Sequence, residues 1–456
     1  MQKRFSVLTV VFLSLLMSLW SSDISANDAP VTIIESVNVV DMRTGEVRPN
    51  MSVVVEGTRI VEVAADNLSN AKSSNTAAES SSGTRIINGR GKYIMPGLGE
   101  MHGHIPPLTP FQGMPERYMN DVLFLYLAGG VTTVRGMLGY PHQLTVAQQV
   151  ANGERDGPTL YLAGPSFSGN TVSNLRQARM RVAEQAQAGW ALLKVHPGLS
   201  LNQYVTMANE AKAHGISFAG HVPEQVGIHH AIIQGSRTID HLDGYMAATG
   251  GMTEPVPEGE LRELARFTRA HGVGVVPTQA LWATIIGAGD PAVLLAYDEL
   301  KYVPKPIREG WIRYAQNPNS SYATVATAQI HAENRRRLLR ILHEEGVEIL
   351  LGTDAPQLFS VPGFSIRREI AFMQQAGMSN LAILQSGTIA VGRYFAAEDS
   401  FGLIEPGARA DLLLLEQNPL EQIDTLYNPA AVMANGHWYS REIIQQRLAD
   451  IAAAYN

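Results

Sequence analysis

The chain has 456 residues, of which 45% are hydrophobic and 17% are charged, and its formal net charge is −7. These proportions are typical of a soluble globular protein. The negative charge and the lack of any long basic run argue against nucleic acid as a partner. The sequence contains no cysteine. Disulfides, thiolate zinc sites and a cysteine nucleophile are therefore excluded, and any metal must be held by nitrogen and oxygen ligands.

Residues 1–26 have the layout of a secretory signal peptide. Lys3 and Arg4 precede an apolar run over residues 6–20, and small polar residues then lead to a cleavage point after Ala26. An uncleaved membrane anchor is the alternative, but this run is short for a span of about 20 residues. We therefore predict export to the periplasm or the medium, with no stable membrane anchor after signal cleavage.

Strand-rich blocks stand at both ends of the mature chain. "VTIIESVNVVD" and "MSVVVEGTRIVEVAA" are β-branched runs near the start, and "GLIEPGARADLLLLE" and "AAVMANGHWYS" form a similar pair near the end. Each block must bury an apolar face. We therefore predict one small β-sandwich domain built from residues 27–93 and 401–440, followed by a C-terminal helix over residues 441–456.

The segment between these blocks, residues 94–400, alternates eight short apolar runs with helix-like stretches. The first run ends in "MHGH", and the others lie at 130–136, 159–164, 190–196, 215–221, 237–242, 272–278 and 347–354. Eight strands alternating with helices predict an α/β fold, a (β/α)8 TIM-like barrel. A longer, mostly helical connection over residues 285–345 is expected to cover the barrel mouth.

Polar side chains stand at the ends of five of these runs: His102, His104, Lys194, His221, His241 and Asp354. The C-terminal strand ends of a barrel converge on one mouth, where catalytic groups collect. Each residue alone has an ordinary explanation, such as a hydrogen-bonded packing histidine or a helix N-cap aspartate. Their joint placement favours a metal site. For Lys194 the choice is between a salt bridge to Asp354 and a carbamylated lysine that bridges two metal ions.

The motifs around these residues resemble the landmarks of the amidohydrolase superfamily. They read "PGLGEMHGH", "LLKVH", "FAGHV", "IDHLDG" and "LLGTDAP", and the flanking "GVTTVR" and "EPGARADLLLLEQNPL" are similar to its imidazolonepropionase-like and Xaa-Pro dipeptidase-like branches. The resemblance implies a metal-dependent hydrolase with one ion on His102, His104 and Asp354 and a second on His221 and His241. It also implies a carbamylated Lys194 and a hydroxide that bridge the two ions. Such donors suit Zn²⁺ and accept Mn²⁺ or Co²⁺.

The chemistry expected of such a site is hydrolytic. A water held between two cations loses a proton near neutral pH and attacks a carbonyl that a metal polarises. Asp354 would accept that proton and deliver it to a leaving nitrogen. His196, two residues past Lys194, and Tyr245, in the loop beyond His241, are candidate substrate contacts.

Three functions remain open from the sequence. The leading hypothesis is hydrolysis of a carbon–nitrogen bond in a small molecule: a dipeptide, an N-acyl amino acid or a cyclic amide. The same site would also attack a lactone, a carbamate or a phosphotriester, because the ligands do not select the bond. The third is a metal-holding binding protein without turnover, against which the proton-shuttling Asp354 argues. The sequence also leaves a homo-oligomer open.

Overall fold

The computed structural model describes residues 30–66, 78–79, 83–107, 117–317, 319 and 324–455. The described strands are β1 Val31–Val40, β2 Val47–Glu56, β3 Arg59–Ala65, β4 Ala78–Glu79, β5 Thr84–Asn88, β6 Tyr93–Pro96, β7 Leu98–Gly103, β8 Val131–Gly136, β9 Thr159–Leu162, β10 Leu192–Val195, β11 Ser217–Gly220, β12 Thr238–Asp240, β13 Gly274–Val276, β14 Leu412–Leu415, β15 Ala431–Ala434 and β16 His437–Ser440.

The described α-helices follow the same chain order. They are α1 Arg117–Ala128, α2 Gln143–Ala151, α3 Leu175–Ala188, α4 Leu201–His214, α5 Gly227–Ile233, α6 Tyr245–Thr249, α7 Glu258–Ala270, α8 Gln279–Ile285, α9 Pro291–Leu295, α10 Lys305–Gln316, α11 Val325–Glu344, α12 Ile366–Gln375, α13 Asn380–Gly387, α14 Ile389–Tyr394 and α15 Arg441–Tyr455. Short 3₁₀ helices span Asp298–Tyr302 and Ile423–Tyr427. No helix in the described part of the chain is long and apolar enough to cross a membrane. The predicted signal peptide lies outside the described residues.

The two ends of the chain build one mixed sheet. Its main path runs β16-β15-β14-β6-β1-β2-β3, with β5 beside β1 and β4 beside β5. The join is the antiparallel pair of β14 and β6, in which Leu414 faces Ile94. Ile34, Val53 and Met433 are buried in the same apolar cluster on this sheet. The two ends thus share one sheet, and the predicted sandwich of two facing sheets is not confirmed.

The central segment contains two parallel sheets. One has the order β7-β8-β9 and the other β10-β11-β12-β13, and helices follow most of these strands along the chain. A parallel bridge between Ala163 and Leu192 connects the edges of the two sheets, and another joins Val275 to Ile349. This is an α/β fold with parallel sheets, consistent with a TIM-like barrel. The described strands do not pair into one continuous closed sheet.

The eighth predicted run, residues 347–354, forms no strand of its own. Its backbone lies beside β7, where Met101 N–H donates to the Leu351 carbonyl at 2.8 Å. Farther along, the Glu100 carboxylate accepts the Thr353 N–H at 2.7 Å and its hydroxyl at 2.6 Å. The buried Glu100 side chain therefore accepts a backbone N–H that a neighbouring strand would otherwise bind. The hydrogen-bond ladder between β7 and this run is interrupted there.

Local capping residues mark the start and the end of α3 and α4. Ser200 and Gln203 form a capping box at the start of α4, and Gly215 ends the helix in the left-handed conformation at φ 67°. Asn174 caps α3, which ends at Gly189 with φ 85°. These stops return the chain to β10 and β11, so that the strand ends carrying Lys194 and His221 point the same way.

The connection over residues 285–345 is mostly helical where described, as predicted. It contains α9, the 3₁₀ turn, α10 and α11. Ile285, Ile307 and Trp311 line the large cavity beside the strand ends. The segment therefore covers that side of the cavity with apolar side chains.

Candidate metal centre and catalytic cavity

The candidate residues at the strand ends meet at one cavity of about 680 Å³. His102, His104, Lys194, His221 and Asp354 all line it. His241 lies directly behind this lining, with its ring centroid 4.3 Å from that of His102 and 4.4 Å from that of His221. The structure thus brings all six residues together from five separate parts of the chain.

One half of the centre is formed by His102, His104 and Asp354. A set of candidate ligand atoms, one from each, lies within 4.8 Å of one another. His104 Nε2 is 2.6 Å from Asp354 Oδ1, and the Asp354 N–H donates to the His102 carbonyl at 2.7 Å. The backbone bond holds Asp354 against β7, so the carboxylate faces both imidazoles.

Lys194 lies in the middle of the group and is fully buried. Its Nζ is 3.0 Å from His102 Nε2. Among the described residues it forms no ion pair with a carboxylate, so the salt bridge to Asp354 is not made. Burial lowers the pKa of the amine to about 8, although Asp240 and Asp354 act in the opposite direction. A buried amine without an ionic partner is costly as a cation.

The second half is formed by His221 and His241. His221 Nδ1 is 2.6 Å from Asp243 Oδ2, and His241 Nδ1 is 2.8 Å from the Thr278 hydroxyl. His241 Nε2 is buried and has no hydrogen-bond partner. Burial, with the nearby charges, holds the pKa of His241 well below its ordinary value. Its imidazole is therefore neutral and has a lone pair available.

A buried ion pair that the sequence reasoning missed stands behind His102. Asp240 Oδ2 is 2.7 Å from His102 Nδ1, and Arg135 Nη2 lies 3.1 and 3.0 Å from the two oxygens of Asp240. Arg135 and Asp240 are both fully buried. Arg135 belongs to the motif "GVTTVR" and Asp240 to "IDHLDG", but the sequence does not show that these residues of β8 and β12 form a pair. Asp243 and Thr278 were missed in the same way.

The backbone at the centre is held in unusual conformations. His241 has φ 64°, Asp354 φ 61° and Thr278 φ 45°, all in the left-handed region that non-glycine residues rarely adopt. Such residues cluster at functional sites, where surrounding contacts hold them. Here two of the three are candidate ligands and the third orients one.

These residues fit a divalent metal centre. Asp240, Asp243 and Thr278 each engage the Nδ1 atom of one imidazole, which leaves Nε2 of that ring to face the centre. The unpartnered Nε2 of His241 is the atom that a metal would satisfy. Imidazole nitrogen and carboxylate oxygen suit Zn²⁺ and related ions.

The two candidate substrate contacts have different positions. His196 lines the cavity, and its ring stacks on His221 at 5.2 Å, with its Nδ1 buried and unpartnered. Tyr245 instead is fully buried in the core, where its hydroxyl lies 2.7 Å from the Thr268 hydroxyl. The expectation of a substrate contact at Tyr245 does not fit this position, because α6 begins there and turns the ring away from the cavity lining.

The outer wall of the cavity is aromatic and apolar. Four aromatic residues that the sequence did not single out line it: Tyr118, Tyr140, Trp282 and Trp311. They come from α1, the loop after β8, α8 and α10. The sequence does not distinguish these residues from aromatic residues of the core. Only the folded structure places them at the cavity.

Comparison with known proteins gives the family and the fold. Residues 93–439 match the model of the Amidohydrolase family. The chain is 24% identical over 404 residues to an adenine deaminase of Rubrobacter xylanophilus, covering 85% of this chain and 55% of that protein. It therefore spans about half the length of that curated relative.

Two solved structures share the fold at low identity. Bottromycin amidohydrolase is 22% identical with a TM-score of 0.72, covering 94% of this chain and 92% of that one. A Xaa-Pro dipeptidase with bound methionine is 20% identical with a TM-score of 0.65, covering 90% of this chain and all (100%) of that one. Because the family model spans most of the sequence, the chain belongs to the Amidohydrolase family.

Proposed function

We propose that this protein is an exported, metal-dependent hydrolase that cleaves an amide-type carbon–nitrogen bond. We also propose that its parallel strands form one eight-stranded barrel. The observation that carries the proposal is the convergence of four imidazoles, a buried amine and a carboxylate on one cavity. Family membership supports hydrolysis. The substrate bond and the metal are the proposed part.

We assign one cation to His102, His104 and Asp354 and a second to His221 and His241. Lys194 would bridge them as a carbamate. In that step the neutral amine attacks carbon dioxide, an N–C bond forms, and one proton is released to solvent. The position of Nζ, 3.0 Å from His102 Nε2 and without an ionic partner, supports this assignment. Two Zn²⁺ ions suit these ligands best, with Mn²⁺ or Co²⁺ as alternatives.

The bound cations would lower the pKa of a water molecule and polarise the scissile carbonyl. Asp354 then moves the proton. Its Oδ1, 2.6 Å from His104 Nε2, accepts a proton from the attacking water and passes it to the leaving nitrogen. An amide nitrogen leaves poorly unless it is protonated. This requirement for a shuttle favours an amide over the lactone, carbamate and phosphotriester alternatives, and turnover over mere metal storage.

The test combines metal content with product analysis. The purified chain is reconstituted with zinc and bicarbonate, its metal is counted, and it is assayed on dipeptides, N-acyl amino acids, cyclic amides, a lactone and adenine. We expect about two metal ions per chain and release of an amine. Fewer than one ion per chain, or release of alcohol alone, would contradict the proposal.

Lys194→Ala tests the bridge itself. The variant should lose metal and activity together, and millimolar propionate should restore part of both by replacing the carbamate. Lys212→Ala, at the solvent-facing end of α4, is the matched control and should behave as the native chain. Full metal loading of Lys194→Ala without added carboxylate would show that the lysine is not a ligand.

Export rests on the amino-terminal sequence. If residues 1–26 are a cleaved signal peptide, the protein recovered from the periplasm or medium begins at Asn27. Mass spectrometry of the intact mature chain measures this directly. An intact Met1 on membrane-associated protein would favour the anchor instead.

A further inference from the structure

The cavity is larger than a dipeptide substrate requires. Its volume of about 680 Å³ falls within the range of roughly 300–1,000 Å³ found for pockets that enclose drug-sized ligands. The candidate metal ligands supply five of its described lining residues, and most of the others are apolar or aromatic. The remaining volume lies against the outer wall, so a substrate that fills the cavity extends well beyond the scissile bond.

The outer wall offers mainly apolar surface. Trp282 and Ile285 line it from α8, and Ile307 and Trp311 line it from α10. Burying an apolar substrate group against such side chains contributes about 25 cal/mol for each Å² removed from water. Aromatic rings gain further from stacking. The wall therefore favours a bulky, apolar substituent on the substrate.

Apart from Lys194, the described part of the lining offers no lysine or arginine to pair with a substrate carboxylate. Lys194 is the single lysine or arginine among the described lining residues, and it belongs to the metal centre. The sequences 108–116 and 318–323, which include residues outside the described part of the chain, contain neither lysine nor arginine. A buried carboxylate without a charged or hydrogen-bonding partner is expensive.

The negative charges in the lining also disfavour a substrate carboxylate. Asp243 and Asp354 both line the cavity, and a carbamate on Lys194 would add a third negative group. These groups offset the charge of cations held in the centre. A substrate carboxylate that does not reach the cations would face Asp243 and Asp354, with no arginine among the described lining residues to hold it.

From these observations, and resting on the proposed amide hydrolysis, we infer that the substrate is an uncharged amide carrying a bulky apolar group, and that free dipeptides and N-acyl amino acids are disfavoured. The outer wall binds the apolar group. The neutral end of the substrate needs no cation in the lining.

A matched pair of compounds tests the charge. N-benzoylphenylalanine and N-benzoylphenylalanine amide share the benzoyl–nitrogen bond, whose cleavage is followed as benzoate release, have nearly the same shape, and differ in that a carboxylate replaces a neutral carboxamide. We expect kcat/KM to be at least about tenfold higher for the amide, a difference of about 1.4 kcal/mol. Equal or better hydrolysis of the acid, or of alanylproline, would overturn the inference.

Gln357, which lines the cavity and is half-buried, allows the charge to be added. Gln357→Arg should raise kcat/KM for the acid relative to the amide by about tenfold, because it supplies a carboxylate partner. Gln357→Met, of similar length and without charge, should keep the native acid-to-amide ratio. A ratio unchanged by the arginine would count against charge as the selecting feature.

Binding separates this inference from the proposed function. Quenching of the fluorescence of Trp282 and Trp311 reports ligand entry, and Trp438→Phe, in the terminal sheet, controls for signal from outside the cavity. If neither these two compounds nor any amide of the panel above is hydrolysed, the proposed function fails, while tighter binding of the neutral amide still supports the inference. Tighter binding of the acid would refute it whether or not turnover occurs.

Discussion

Asp354 combines three properties at one residue. It lies in the left-handed region at φ 61°, its N–H is bonded to the His102 carbonyl, and its Oδ1 is 2.6 Å from His104 Nε2. The backbone bond and the ring together leave the carboxylate few alternative positions. A group held in this way suits proton transfer, because the geometry is set before the substrate arrives.

Asp354→Asn should therefore reduce kcat by about 10²–10⁴-fold, since asparagine cannot carry the proton. Steady-state kinetics on the best amide measure the effect, and zinc analysis verifies that the variant still holds metal. Retention of full activity by a metal-loaded variant would show that Asp354 is not the shuttle.

Asp243 lines the cavity and also orients His221. Its Oδ2 lies 2.6 Å from His221 Nδ1, which orients the ring and increases the basicity of Nε2. Asp243→Asn should weaken zinc binding by about 10–100-fold. Competition with a chelator measures this affinity.

The matched control is Asp156→Asn, which removes a carboxylate beside Tyr439, away from the metal centre. It should leave zinc affinity unchanged. Equal losses in the two variants would indicate a general effect of charge, and no loss at Asp243 would remove its orienting role.

At the scale of elements, one close approach holds the first helix of the central segment against a later loop. Gly129 follows α1, and a Cβ placed on it would lie 2.4 Å from both Cα and O of Gly363. These are backbone atoms that cannot move aside without shifting the loop before α12. The contact couples α1 to the segment that follows Asp354.

Gly129→Ala should accordingly lower the free energy of unfolding by about 3 kcal/mol. Gly259→Ala is the matched control, because a Cβ added at this position in α7 would have no neighbouring atom within 4 Å. Alanine there should be neutral or stabilise the helix by about 0.5–1 kcal/mol. Urea unfolding of both variants measures the difference, and equal stabilities would mean that the loop yields freely.

The elements also show why some residues were predictable and others not. Apolar runs ending in a polar residue located β7, β10, β11 and β12, because period and turn residues are local properties of a chain. Tyr245 follows one of these strands, yet α6 begins at that residue and its ring is buried beside Thr268. Direction after a strand end depends on packing, which the sequence does not display locally.

The molecule as a whole contains a buried acid beside the start of α8, directly after Thr278. Glu369 is fully buried and accepts the N–H groups of Gln279 and Ala280, both at 2.9 Å, at the start of α8. Burial raises the pKa of Glu369 to about 7 from its ordinary 4.5. Between these two values the folded chain keeps a proton that the unfolded chain has released.

Stability should therefore fall as pH rises from about 4.5 to 7, by at most about 1.4 kcal/mol per pH unit for this one proton. Glu369→Gln should make the dependence shallower in that window. Urea unfolding at pH 5, 6, 7 and 8 measures it, with Glu62→Gln on the exposed side of β3 as the control. An identical slope in Glu369→Gln and the native chain would contradict the raised pKa.

The sequence by itself determined the parallel α/β character, the shared terminal sheet and the six polar residues at strand ends. All of these follow from local periodicity, residue type and short motifs such as "MHGH" and "GTDAP". Only the tertiary structure decided which partners orient the ligands, as with Asp240 and Arg135 behind His102, and which aromatics form the outer wall. Those contacts join residues more than a hundred positions apart, and they arise only when the strands pack side by side.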